Sequence, residues 1–369
     1  MEESIKKYRD FYALKPNSPL IMKEFGWYCR ERWEREGFVK PEEDLNKTFG
    51  FDEPGVYIMQ DLGGCEAAVE PPFESKVLYE QGNYEIVQDR VGRHVKCFKG
   101  RRNGFMPEYI DHPVKDRRTW EENIKWRLDP KSDIRYKRFD ARREHILAEA
   151  ARGKVISEIM PGGYMYLRSL FGPTELLYAF YDTPELIHDC MKSWFELNDA
   201  VIAYHQKTLD LDELFLDEDI CYNHGSLISH DMIREFLFPY YQQLLTNIKS
   251  RNRDKSRKVH FQLATDGASH TVIELYKEIG LTFMSPFEVA SGCDVVEIGK
   301  KYPELLISGG FDKRIIAMGK EAINREIDRI MPVMYRRGGY IPTCDHGVPE
   351  EVSYENYVYF RERLREFAK

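Results

Sequence analysis

The residues best suited to chemistry in this chain stand directly after short apolar runs. Residues 258–264 lead into Thr265-Asp266-Gly267 and 281–285 into Pro286-Phe287-Glu288. Residues 305–308 lead into Gly309-Gly310-Phe311-Asp312, and 338–342 into Thr343-Cys344-Asp345-His346-Gly347. A fifth run, 211–216, ends in Asp217-Glu218-Asp219, with Tyr222, Asn223 and His224 just beyond. Three consecutive acids repel one another, so in a partly buried loop at least one should keep its proton above the ordinary carboxylate range. That suits general acid/base work or cation binding, the plain alternative being a solvated loop that caps the next helix. Asp266, Glu288 and Asp312 are single acids, each able to act or merely to cap the helix after it. Cys344, Asp345 and His346 bring a thiol, a carboxylate and an imidazole to one loop, donors that suit zinc, although no CxxC or HExxH spacing accompanies them.

These residues can work together only if the runs are strands of one sheet. Each run is short, and helix-like stretches alternate with them, which is the rhythm of βα units. In a (β/α) barrel the loops after the strands all open at one end, so residues distant in sequence meet there. The alternation is regular from residue 154 onward. A strand at 155–160 runs into Pro161-Gly162-Gly163, and helices are expected at 174–181, 184–208, 230–249, 269–279, 295–302, 320–335 and 353–367. The second of these opens on Asp182-Thr183-Pro184, a capping side chain followed by proline in the first turn. Residues 1–150 differ in character. An aromatic, helix-like stretch lies within 18–36; alternating segments at 55–61, 84–89 and 94–98 suggest hairpins or a small antiparallel sheet; 116–128 and 138–153 look like amphipathic helices. The expected fold is α/β: a (β/α)8 TIM barrel with its core in 151–369, and an N-terminal α+β extension, 1–150, packed on the barrel and partly belonging to it.

Composition narrows the function classes. The chain of 369 residues is 42% hydrophobic and 31% charged, as in soluble globular proteins. A net charge of −8 argues against nucleic acid as a partner. The basic stretch 249–258 precedes a strand and so belongs at the end of the barrel opposite the catalytic loops. No apolar stretch is long enough to span a membrane, and the N-terminus lacks a signal core. Seven cysteines without paired spacing point to reduced thiols and a cytoplasmic location. GxGxxG, GxxxxGK[ST] and GxSxG are all missing, so neither a dinucleotide site, a P-loop nor a nucleophile elbow is indicated.

At these residues the chain resembles the uroporphyrinogen decarboxylase superfamily. The likeness rests on 161–189 (PGGYMYLRSLFGPTELLYAFYDTPELIHD), 215–241 (FLDEDICYNHGSLISHDMIREFLFPYY), 264–270 (ATDGASH), 285–303, 308–314 (SGGFDKR) and 338–360, with 107–130 similar to one branch of the superfamily. It implies a (β/α)8 barrel and one of two activities. One is decarboxylation of uroporphyrinogen without a cofactor. The other is zinc-assisted transfer of a methyl group from a small substrate to a separate corrinoid protein or a coenzyme thiol. The decarboxylases carry a segment like RQAGR that contacts tetrapyrrole carboxylates; this chain has instead Arg30 and Arg32 in CRERWERE. The zinc methyltransferases carry HxCG on a mid-barrel strand end; here that place reads Ala264-Thr265-Asp266-Gly267, while their late cysteine matches Cys344. The resemblance therefore implies an O,O,S zinc site of Asp266, Glu288 and Cys344. With no DxHxxG motif, the corrinoid would arrive on a partner protein.

The expected activity is a methyltransferase of a corrinoid-dependent demethylase, acting on a small methoxylated or N-methylated donor. Glu218, Asp219 and Glu288 are its expected catalytic residues, and Tyr164, Tyr222, Asn223, Asp312 and His346 its substrate contacts. A cofactor-independent decarboxylase and a non-catalytic binding barrel are the alternatives, and a homodimer is compatible with the sequence.

Overall fold

The computed structural model describes residues 2–100 and 107–367. Its strands are β1 (Val56–Met59), β2 (Lys76–Gln81), β3 (Tyr84–Gln88), β4 (His94–Phe98), β5 (Glu108–Asp111), β6 (Val155–Pro161), β7 (Glu213–Asp217), β8 (Cys221–Tyr222), β9 (Gly225–Ser226), β10 (His260–Ala264), β11 (Phe283–Ser285), β12 (Leu306–Ser308) and β13 (Tyr340–Ile341). Seven of them form one parallel sheet in the order β1-β6-β7-β10-β11-β12-β13, and β2–β5 form a separate antiparallel sheet. Parallel strands need crossover connections, which the intervening helices supply, among them Pro184–His205 between β6 and β7 and Phe238–Arg251 between β7 and β10. The architecture is a (β/α)8-type barrel with an N-terminal α+β extension.

Residues 20–28 close the seam between β13 and β1. Cys344 N–H donates to Glu24 Oε1 at 2.9 Å, and Trp27 bridges Val348 in parallel. On the other side Met22 N–H donates to Asp52 Oδ2 at 2.7 Å, just ahead of β1. The helix Glu3–Tyr12 closes the N-terminal end of the barrel, where Phe11 packs edge-on against Phe283 and the Tyr12 hydroxyl donates to Glu213 at 2.6 Å. The basic stretch lies at this same end, Arg257 reaching Asp212 at 3.1 Å. Among the described residues no helix is long and apolar enough to cross a membrane.

Two expectations change. The segment 55–61 is not part of a hairpin: its core, β1, pairs in parallel with β6, from Val56↔Val155 to Met59↔Glu158, and so belongs to the barrel. The stretch 18–36 is helical only at Arg30–Arg35. Its first half is extended because its backbone groups bond across the seam rather than within a helix. A helix the sequence did not announce, Gly163–Phe171, follows β6 directly and brings Arg168 to the mouth.

Candidate active site

The C-terminal ends of the strands surround a cavity of about 700 Å³. Along β7 the side chains alternate, so Glu213, Phe215 and Asp217 face inward, and Asp217 reaches the cavity with Asp219 and Asp266. Burial raises the Asp217 pKa; the Cys65 thiol, donating to its Oδ2 at 3.0 Å, works against that, while Asp219 and Asp266 push it further up. Asp219 stands at φ +43°, a left-handed conformation rare for residues other than glycine, and pairs with Arg168. Strain of this kind concentrates at functional sites. His346 Nε2 lies 3.5 Å from Asp266 Oδ2, and its ring sits beside Phe25 and Tyr28 with centroids 4.7 and 5.7 Å away. Arg93 and His112 complete the polar wall. Burial, reinforced by Arg93 and Lys115, holds His112 down at about 4, so its imidazole is neutral at pH 7.

Of the residues singled out from sequence, Asp219, Asp266 and His346 line this cavity. The others point elsewhere. Glu218 is fully buried behind the strand, accepting hydrogen bonds from Tyr241 at 2.8 Å, Tyr276 at 3.2 Å and the Tyr164 N–H at 3.3 Å. Burial takes its pKa up to about 7. A Cβ on Gly162 would stand 1.4 Å from its Oε2, so Glu218 pins the Gly162–Gly163 turn. Tyr164 is buried beside it. Glu288 accepts the Gly267 N–H at 2.8 Å and faces Lys313 Nζ at 3.6 Å. Asp312 caps the helix Lys313–Ala317 and grips Arg314; burial would raise the Asp312 pKa, but the side-chain and backbone hydrogen bonds of Arg314, with its charge, hold it below its ordinary value. Tyr222 and Asn223 sit exposed at the β8–β9 turn. The sequence presents Asp217 only as one of three consecutive acids, with the catalytic roles expected of Glu218 and Asp219, although the alternation of β7 favours Asp217; nothing local assigns Cys65, Arg93, His112 or Arg168 to the site.

Zinc can be tested against the donors present. Cys344 is fully buried in the apolar core, and burial together with Glu24 and Asp345 drives its thiol well above the ordinary range, the opposite of what a thiolate ligand needs. Glu288 is committed to Gly267 and Lys313. Among the described residues no three His, Cys, Asp or Glu side chains are arranged to hold a metal ion. Asp266, Glu288 and Cys344 share one end of the barrel but do not fit an O,O,S zinc site.

The family model for uroporphyrinogen decarboxylase (URO-D) matches residues 163–367, more than half of the chain. The chain belongs to the URO-D family. The matched region begins at Gly163 and so takes in every strand end around the mouth from β7 to β13. A URO-D relative, the uroporphyrinogen decarboxylase of Hydrogenobaculum sp. (strain Y04AAS1), is 23% identical over 141 residues, a stretch that spans 38% of each chain. Among solved structures, a methyltransferase from Methanosarcina mazei shares the fold with a TM-score of 0.58 over 98% of both chains, at 15% identity.

Proposed function

We propose that this URO-D family member is a methyltransferase, the component of a corrinoid-dependent demethylation system that takes a methyl group from a small methoxylated or N-methylated molecule. The observation that carries the reading is the charge arrangement of the mouth. Among the described residues, both arginines that line it are already neutralised, Arg168 by Asp219 and Arg93 by Asp89 and Glu66. A tetrapyrrole bearing many carboxylates would meet acids here and, among the described residues, no free guanidinium. A small donor with a basic leaving atom suits the same surface well, and the shared fold with a protein described as a methyltransferase supports the reading.

The methyl acceptor, a reduced corrinoid carried by a separate protein, would supply the nucleophile from the open side of the mouth. Asp217, whose pKa is raised by burial and by two neighbouring carboxylates, is the acid placed to give a proton to the departing heteroatom. Asp266 and His346 position the donor, and Phe25 and Tyr28 exclude water from one flank. A decarboxylase of a smaller substrate is the second reading, favoured by the Hydrogenobaculum relative. Purified protein mixed with cob(I)alamin and a panel of methylated donors should convert cob(I)alamin optically to methylcobalamin with at least one of them. No conversion across the panel, together with carbon dioxide release from a carboxylated candidate, overturns the assignment.

A further inference from the structure

The barrel of this chain is hollow below its mouth. The interior of a (β/α)8 barrel is ordinarily filled by layers of inward side chains. Here a second cavity, of about 670 Å³, lies within it, walled by Glu213, Gln262 and Ser308 from three strands and by Thr343 from the loop after β13. Ile58, on β1 and facing this space, is still 41% exposed. Lys23 projects into it from the seam segment. Its neighbour Glu24 is occupied by Tyr357 at 2.7 Å and Arg361 at 3.7 Å, whereas the Lys23 ammonium makes no hydrogen bond or ion pair among the described residues. Glu213, the acid whose charge acts most on Lys23, is spent on the Tyr12 hydroxyl, and burial lifts its pKa to about 7, so it is an incomplete counter-charge at neutral pH. A desolvated ammonium without a partner is costly unless something anionic meets it.

The mouth above has the opposite character. Among the described residues, Glu66, Asp217, Asp219 and Asp266 line it against Arg93 and Arg168, and both arginines are taken. Among the described residues the Asp217 carboxylate has a thiol as its one donor. Phe25 and Tyr28, 51% and 59% exposed, present ring surface beside these acids. Carboxylates next to open aromatic faces are the surroundings that favour a methylated ammonium, a cation with few or no N–H donors to satisfy. The two cavities share Phe25, Phe215, Ser285 and Pro286 as walls, so they lie against each other.

We propose that the two cavities form one site for a zwitterionic substrate, its methylated ammonium head at the mouth and its carboxylate tail on Lys23 in the barrel. The proposal deepens the methyltransferase reading and rests on it for the fate of the head group. Transfer from a quaternary head breaks one N–CH3 bond and leaves the electron pair on nitrogen. The methyl carbon passes to the two-electron nucleophile of the corrinoid acceptor, and the neutral tertiary amine then takes a proton from water. No further oxidant or reductant is needed.

Calorimetric titration of the full-length protein tests this without turnover. The probes are a short series of trimethylammonio carboxylates of increasing chain length, the same carboxylates with a neutral tert-butyl head, and a tetraalkylammonium ion without a tail. At the best chain length the zwitterion should bind about 10-fold or more tightly than either control, the range expected for a charge-assisted contact. Lys23→Met should erase its advantage over the tailless cation, and Lys23→Arg should keep it. The Asp217→Asn, Asp266→Asn double variant should erase its advantage over the tert-butyl analogue. Zwitterions binding no better than the controls would overturn the proposal, and the wild-type series alone decides this should a variant fail to fold. Demethylation of neutral methoxy compounds with no zwitterion preference would sink the proposal while sparing the methyltransferase reading. Lys23-dependent zwitterion binding with no methylcobalamin formed would uphold the binding site and sink that reading.

Discussion

Two groups of acids and histidines flank the same strands, on opposite faces of the sheet. Behind β6, Glu158 Oε2 meets His205 Nδ1 at 2.8 Å, His205 Nε2 lies 3.9 Å from Asp61, Arg142 grips Asp61, and the imidazole stacks on Phe139 with centroids 4.3 Å apart. Burial alone would lower the His205 pKa, but the charge and hydrogen bond of Glu158, with Asp61 behind, carry it above its ordinary value. At the mouth the residue types are the same, Asp217, Asp219, Asp266 and His346, yet the acids outnumber their partners and face open volume. The difference teaches that residue type does not separate a structural network from a site. The outer group is buried and sets two cations, Arg142 and His205, against two acids, although Asp61 Oδ2, Glu158 Oε1 and His205 Nε2 lack hydrogen-bond partners among the described residues; the mouth is open and mismatched, and mismatch facing a cavity leaves work for a ligand.

Breaking the outer group should cost stability. His205→Ala leaves the buried Glu158 without its cation and should lower unfolding free energy by about 3–5 kcal/mol, measured by denaturant titration, with the folded fraction keeping its methyl-transfer rate. Breaking the mouth should do the reverse. Asp266→Asn is expected to slow transfer by about 10²-fold while changing stability by less than about 0.5 kcal/mol. A large stability loss in Asp266→Asn, or a rate loss in the folded His205→Ala protein, would collapse the comparison.

Glu218 lies between the two, and its pKa sharpens the contrast. A carboxyl raised to about 7 in the folded state, from about 4.5 unfolded, binds its proton more tightly when folded. Its contribution to stability is therefore complete below pH about 4.5 and is lost as pH rises through about 7. Glu213 behaves alike, also rising to about 7. Glu218→Gln should make the fall in melting temperature between these pH values shallower, leaving the part due to Glu213; an unchanged slope would show that Glu218 is not held in this buried, hydrogen-bonded state. The smallest effect on rate is expected from Cys344→Ser. It places a hydroxyl in an apolar core, at a stability cost of about 1–3 kcal/mol, but should leave transfer within about 2-fold of wild type, since Cys344 does not line the mouth. Loss of activity together with loss of bound zinc in that variant would restore the cysteine as a ligand.

The strand–helix rhythm from 154 onward was legible because each strand is a short apolar run with its own helix behind it. The strand β1 was not, because periodicity announces a strand but not its partner, and β1 pairs with β6 across the whole antiparallel sheet. At the site, strand-end acids were legible as a class. Choosing among them needed the direction of each side chain: Asp217 inward with Glu213 and Phe215, Glu218 outward to Tyr241. Cys344 had the right place in the chain, but its burial depends on Glu24 and Arg361, which are remote in sequence and fix that loop from behind. Phe25, Tyr28, Cys65 and Arg93 reach the mouth from the N-terminal half, so no local pattern could have assigned them to it.

The central claim is that methyl transfer takes place where Asp217 faces the mouth of the barrel. Single-turnover transfer of a labelled methyl group to cob(I)alamin, compared between wild type and Asp217→Asn at equal folded fraction, tests it most directly. The account predicts transfer by the wild type and a rate lower by about 10²-fold in the variant. Equal rates in the two proteins would contradict it, as would carbon dioxide release in place of any transfer by the wild type.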